Sequence, residues 1–229
     1  MHSRREFAER VVRLFDEHYG RPRHGNREDP LDELVYIVLS QMTTAPSCSR
    51  VFERLRHTLL SWEELVRIPV GRLADLIQDA GLFNQKAPRL KSIAMQLLVD
   101  FGSVTLDPLR SMSTDSAERY LIGLPGVGLK TAKCVLMYSL GREVLPVDTH
   151  VWRIGRRLGL IGDAVSYSVV HGALEEVVAS GDRYGFHVGA VAHGRAICLD
   201  RFPRCADCFL SSLCPSGVRQ AAAAIRQGW

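Results

Sequence analysis

No apolar run in this 229-residue chain approaches the roughly 20 residues that a membrane-crossing helix needs. The apolar stretch near Ile93 to Val99 is interrupted by Gln96. The amino terminus, MHSRREFAER, lacks the apolar stretch that opens a secretion signal, so the expectation is a cytoplasmic protein with no membrane partner. Apolar–polar alternation bounded by turn residues is almost missing as well. Short stretches such as Val144-Leu145-Pro146-Val147 are what remain, and Pro146 argues against a strand interior. There is no internal repeat, and Ala221 to Ala224 reads as the extension of a terminal helix. Core-forming residues are not scarce: 46% of the chain is hydrophobic and 24% charged, which excludes a disordered or fibrous protein. The length suffices for one large domain or two small ones.

Helical signals fill the space that strands leave. Asp29-Pro30 reads as a cap followed by the first helical residue, and Leu31, Leu34, Val35, Val38 and Leu39 follow helical spacing. Ser61-Trp62-Glu63-Glu64 has the form of a capping box. Gly71 to Ala80 continues as helix, with Gly81 at a left-handed terminus. Pro88 is expected to start the next helix, running to Leu98 or Val99, and Asp115 with Glu118 to cap another. Leu129–Leu140, Thr149–Leu158 and Tyr167–Val178 complete an all-α reading. Net charge is +4, and its placement is uneven. Residues 1–125 carry 17 basic and 17 acidic side chains, whereas residues 126–229 carry 12 and 8. The excess in the second half favours a polyanion or is a solvated surface.

Between two of these helices lies Leu124-Pro125-Gly126-Val127-Gly128-Leu129-Lys130-Thr131-Ala132. Two glycines one residue apart permit a tight turn, and the following helix aims its positive end at the same point. That combination accepts a phosphate without reading base sequence. Lys130 falls in the first turn of this helix. At an ordinary pKa near 10.4, only about one part in a few thousand is free amine at pH 7. The helix dipole, partial burial and the like charge of Lys133 are each expected to lower that value. A lysine so tuned is a Schiff-base nucleophile, and a phosphate-binding lysine is the alternative. Eighteen positions on, Val147-Asp148-Thr149-His150 places Asp148 as the N-cap of a helix. A carboxylate there, facing Lys130, can take a proton from it or steady the cation formed as a glycosidic bond breaks. The two groups are then best treated as one proton-sharing unit.

Six cysteines divide into two kinds. Cys198, Cys205, Cys208 and Cys214 form a C-x6-C-x2-C-x5-C run, while Cys48 and Cys134 stand apart and read as packed thiols. In a reducing compartment the cluster of four reads as a metal site. Structural zinc prefers two separated CxxC knuckles and only one CxxC is present; a single compact loop suits a [4Fe–4S] cluster better. Arg201 and Arg204 lie between the first two cysteines, placed to meet phosphate on a metal-stiffened loop.

The hairpin at 124–132, VDTH at 147–150, Gly81-Leu82-Phe83-Asn84-Gln85-Lys86-Ala87, His193-Gly194-Arg195 and the cysteine spacing occur in one order over roughly residues 30–215. Together they resemble the endonuclease III branch of the helix–hairpin–helix DNA glycosylases. The resemblance implies two α-helical domains: a six-helix barrel at 29–142 holding the hairpin, and a [4Fe–4S] domain from 1–28 and 143–229. It implies a monomer acting on double-stranded DNA that contains damaged bases or abasic sites, nucleoid-associated if the source is bacterial. Gln41 would fill the space left by an extruded base and Leu82 would wedge the opposite strand. Gly126, Val127, Gly128, Thr131, His150, Arg201 and Arg204 would meet the DNA. Lys130 and Asp148 would be catalytic, removing an oxidised pyrimidine through a Schiff base and cutting by β-elimination. A monofunctional or lesion-restricted glycosylase, and a weakly catalytic damage-binding protein, are the alternatives. The adenine-mismatch branch fits less well, since it lacks a lysine at position 130 and its catalytic glutamate would fall at Ile37. Two departures stand out: Thr44 where relatives commonly have Asp, and Lys133 where they have Asn. Lys133 is expected to tune Lys130 by repulsion.

Overall fold

The computed structural model describes residues 4–23, 25–162, 165–166 and 169–218. Among them the regular structure is entirely helical, with no strand. The chain divides into two compact units, Gly25–Arg142 and a discontinuous one formed by Met1–His24 with Glu143–Trp229. Ala221 to Ala224 and Tyr167 lie outside the described residues. No helix among the described residues is long and apolar enough to cross a membrane.

In the Gly25–Arg142 unit, α2 (Pro30–Ser40) starts where the sequence indicates. Asp29 caps it, its carboxylate accepting from the Leu31 and Asp32 N–H groups. α3 (Ala45–Thr58) packs against α2. The Ser61 capping box is displaced: α4 (Glu64–Arg67) is a single turn preceded by Glu63, and the Glu64 carboxylate accepts from the Leu60 N–H at 2.7 Å. α5 (Val70–Leu76) and a 3-10 turn lead to Gly81, whose φ of 61° stops the helix. α6 (Phe83–Phe101) differs from expectation. It begins five residues before Pro88, which sits inside it. The Lys86 N–H already bonds back to Leu82, so the helix is nucleated ahead of the proline and loses one donor there. α7 (Thr114–Gly123) is capped by Ser113, not Asp115, the hydroxyl accepting from the Ser116 N–H. α8 (Leu129–Tyr138) follows the hairpin and packs on both α7 and α2. Leu34, Leu39, Leu55, Leu73, Leu90 and Leu97 form the centre of this unit.

The other unit brings α1 (Arg4–Tyr19), α9 (Thr149–Arg157), α10 (Val170–Val177) and α11 (Arg183–Ala196) around Phe15, Val147, Ile154, Leu174 and Phe186. Cys198, Cys208 and Cys214 pack on the edge of that core. Residues 144–147 form no regular structure.

Candidate active site

The hairpin joining α7 to α8 is tied by the Val127 N–H, which donates to Leu124 O at 3.1 Å. Val127 is buried, and its amide is engaged within the turn. Gly126 has a φ of 71°, a conformation that bulky L-residues rarely hold, and a Cβ there would collide with the Arg89 side chain. Gly128 differs: its φ is ordinary and nothing lies within 4 Å of where a Cβ would be, so the space above it is open. Thr131 is buried in the first turn of α8.

Lysine is rare here, with four residues against 25 arginines. Lys91 donates to Val66 O and Ile68 O, and Lys86 is buried among carbonyl groups. The Lys133 ammonium stands 3.3 Å from the Glu118 carboxylate. That counter-ion offsets the charge that was expected to press on Lys130. Lys130 itself is half-buried at the head of α8. Its charge is felt by Glu33 on α2, a fully buried carboxylate that accepts from Asn26 Nδ2 at 2.6 Å and the Arg27 N–H at 2.7 Å. Burial pushes the Glu33 carboxyl above the usual range, while those donors and Lys130 pull it back. A run as apolar as Leu34 to Leu39 hid this acid; an ionisable residue beside such a run is the signal for it.

Gln41 ends α2, and its Oε1 accepts from Arg89 Nη1 at 2.8 Å. Arg89 therefore touches both Gln41 and the Gly126 turn. Leu82 precedes α6 in a left-handed conformation, half exposed. Thr44 is the N-cap of α3, with no cap bond from its hydroxyl.

In the other unit, Asp148 caps α9, its Oδ1 accepting from the Val151 N–H at 2.8 Å. His150 is half-buried. Its Nδ1 faces Arg153 Nη2 at 2.9 Å, so the guanidinium donates and a neutral ring keeps its proton on Nε2. Burial pushes the His150 pKa below its ordinary value. Gly194 admits this ring, since a Cβ would lie 2.6 Å from His150 Nδ1. Part of the basic excess turns inward. Arg153 donates to Cys198 O and Gly194 O, and Arg157 to Leu199 O, Asp200 O and Cys198 Sγ. Arg201 is exposed, and Arg204 pairs with Asp207 at 2.8 Å.

Cys198, Cys205, Cys208 and Cys214 line one cavity with His193, Ile154, Leu158 and Leu210. Among the described residues no group of three or more His, Cys, Asp or Glu side chains is set to hold a metal ion. Burial and then their neighbours push Cys205 and Cys208 up, Cys208 to about 11. Four thiolates at this spacing need a cation among them. Cys48 is a packed thiol under Tyr36 O, pushed up to about 11 by burial, and Cys134 is buried.

Residues 35–180 match the family described as HhH-GPD superfamily base excision DNA repair protein. Endonuclease III of Thermotoga maritima is 32% identical over 96% of this chain and 96% of its own length. Endonuclease III of Bacillus subtilis is 31% identical over 84% of each chain. A trapped endonuclease III–DNA covalent intermediate, in an estranged-adenine complex, superposes with a TM-score of 0.82 at 25% identity, covering 96% of this chain and all of the other. The chain belongs to the HhH-GPD superfamily of base excision DNA repair proteins, in its endonuclease III branch.

Proposed function

We propose that this protein is a DNA glycosylase of base excision repair that also acts as an abasic-site lyase, taking oxidised pyrimidines from duplex DNA. The open space over Gly128 and the positive end of α8 suit a phosphate arriving from outside the chain. Lys130, half-buried behind that turn, is the observation that carries the reading. Its free amine attacks the anomeric carbon of an everted nucleotide. The N-glycosidic bond breaks, the pyrimidine leaves with the electron pair, and Asp148 takes the proton shed by the new secondary amine. Opening of the sugar ring gives a Schiff base. Loss of a C2′ proton then expels the 3′ phosphate, which cuts the strand, and water releases Lys130.

Asp148 makes its capping bond to Val151 through Oδ1 alone, so the proton would go to its other oxygen. The field of Lys130 reaches the buried Glu33 and pulls its carboxyl down against the larger upward push of burial. The four cysteines would hold a [4Fe–4S] cluster: they line one cavity and come from a single compact loop with one CxxC. When bound, the cluster would offset part of the thiolate charge and stiffen residues 198–214, the loop that carries Arg201. His150, with Nδ1 taken by Arg153, has Nε2–H to offer the DNA backbone.

Borohydride reduction in the presence of an abasic-site duplex tests the reading. Wild-type protein is expected to become covalently trapped, Lys130→Ala to lose trapping entirely, and Asp148→Asn to keep its cap but trap at least 100-fold more slowly (on the order of a general-base contribution). Base release without trapping makes the enzyme monofunctional. Binding without either reaction leaves a damage-binding protein.

A further inference from the structure

Among the described residues, three that are not glycine hold φ in the left-handed region: Met42 at 53°, Leu82 at 48° and Phe202 at 55°. Large side chains rarely accept that backbone, because Cβ crowds the following carbonyl oxygen. All three side chains are also left in water, with 86% of Met42, 47% of Leu82 and 90% of Phe202 exposed. The fold thus bears strain at these positions and recovers no burial for it. Such combinations mark places where a side chain is held out for something else.

Met42 and Leu82 share the Gly25–Arg142 unit, and their loops touch. A Cβ on Gly81 would lie 3.4 Å from Met42 O, and the Thr43 hydroxyl donates to Ala80 O. Between the loops lies Lys86, 1% exposed. Its ammonium donates to Leu39 O at 2.7 Å, Gln41 O at 2.6 Å and Ala80 O at 2.7 Å, with Thr43 Oγ1 at 3.0 Å. No carboxylate is among these contacts; carbonyl dipoles from two loops compensate the buried charge instead. The ammonium works as a clip that fixes the spacing of residues 41–43 from residues 80–82. Gln41, next to Met42, is held by Arg89, and Arg89 lies against Gly126 of the hairpin. A continuous strip therefore runs from Met42 to the phosphate turn.

From this arrangement we infer that Met42 is a second apolar wedge for DNA. It works beside Leu82 and presses its thioether on the bases that flank the gap left by the everted nucleotide. The inference rests on the DNA-repair reading above. A polarizable, unbranched side chain suits a stack whose sequence varies, because sulfur adapts its contact to any ring face. The Lys86 clip gives the two wedges a fixed separation, so they enter together.

The test uses the full chain with Met42→Gly and Met42→Ala, and duplexes carrying a tetrahydrofuran abasic analogue with 2-aminopurine at the flanking position. Glycine relieves the left-handed strain, so Met42→Gly is expected to raise the unfolding temperature. It should nevertheless weaken binding to the tetrahydrofuran duplex by roughly tenfold, the size of one lost sulfur–ring contact. It should also reduce the rise in 2-aminopurine fluorescence. Met42→Ala should lose the same affinity without gaining stability, and neither variant should change binding to intact duplex. Equal affinity and equal fluorescence for wild type and both variants overturn the wedge while leaving the DNA-repair reading intact. A wild-type protein that does not distinguish the tetrahydrofuran duplex from intact DNA overturns both.

Discussion

Glu33 shows how one buried side chain sets a pH response. Its carboxyl is raised above the ordinary value of 4.5, chiefly by burial. Below pH 4.5 the folded and unfolded chains both hold the proton, and Glu33 contributes its full stability. As pH rises from 4.5 through the raised folded value, the unfolded chain gives up the proton first and that stability is lost. Glu33→Gln removes the titration. The stability of wild type relative to this variant, from urea unfolding, is therefore expected to decline between pH 4.5 and neutrality. A difference that is flat with pH would show that Glu33 is not titrating in that window. Residue-scale reading succeeded where a motif states its own chemistry. Asp148 is recognisable as a cap from VDTH because capping spans three residues. Lys86 and Arg89 were not legible, since nothing within a few positions shows that one is buried and the other tied to Gln41. The Val127 amide closes the hairpin turn, a bond that the sequence alone does not show.

At the scale of elements, the joint between the 41–43 and 80–82 loops is the part of the site most exposed to a single change. Lys86→Met keeps the length and apolar stem but deletes the ammonium, leaving the Leu39, Gln41 and Ala80 carbonyls without that donor. A loss of about 3 kcal/mol in unfolding free energy is expected, in line with buried acceptors deprived of a partner. A loss below roughly 1 kcal/mol, the worth of an ordinary hydrogen bond, would mean the loops hold together without the clip. The helices themselves were readable from apolar spacing, but their ends were less so. Pro88 lies inside α6, because Leu82 in its left-handed conformation starts the helix earlier than any residue preference indicates. Ser113 displaces Asp115 as a cap because the shorter side chain stands at the position whose backbone is extended. Lys133 was read against Lys130 along one helix, whereas α7 supplies Glu118 from the side.

Across the whole molecule, the cysteine loop depends on neighbours more than on its own helix content. Its regular structure is the short 3-10 turn Cys205–Asp207, and Arg153 and Arg157 hold its first residues by their carbonyls. Iron and sulfide analysis of the purified protein is expected to return four of each per chain. Stripping them should open residues 198–214 to protease while the Gly25–Arg142 unit stays resistant, since metal binding and local folding are one equilibrium there. Absence of iron and sulfide, or an unchanged cleavage pattern, would contradict this. Taken by itself, the sequence determined the all-helical class, the phosphate-type turn, the lysine behind it and the cysteine spacing. Each is a local pattern whose physics closes within one or two helical turns. Only the tertiary structure decided which charges are buried, which lysine gains a counter-ion, and that Met42 and Leu82 stand on loops joined by one ammonium. Those facts depend on residues some 45 positions apart, as Lys86 is from Gln41, meeting through packing. Burial, unlike periodicity, is a property of what lies across the core.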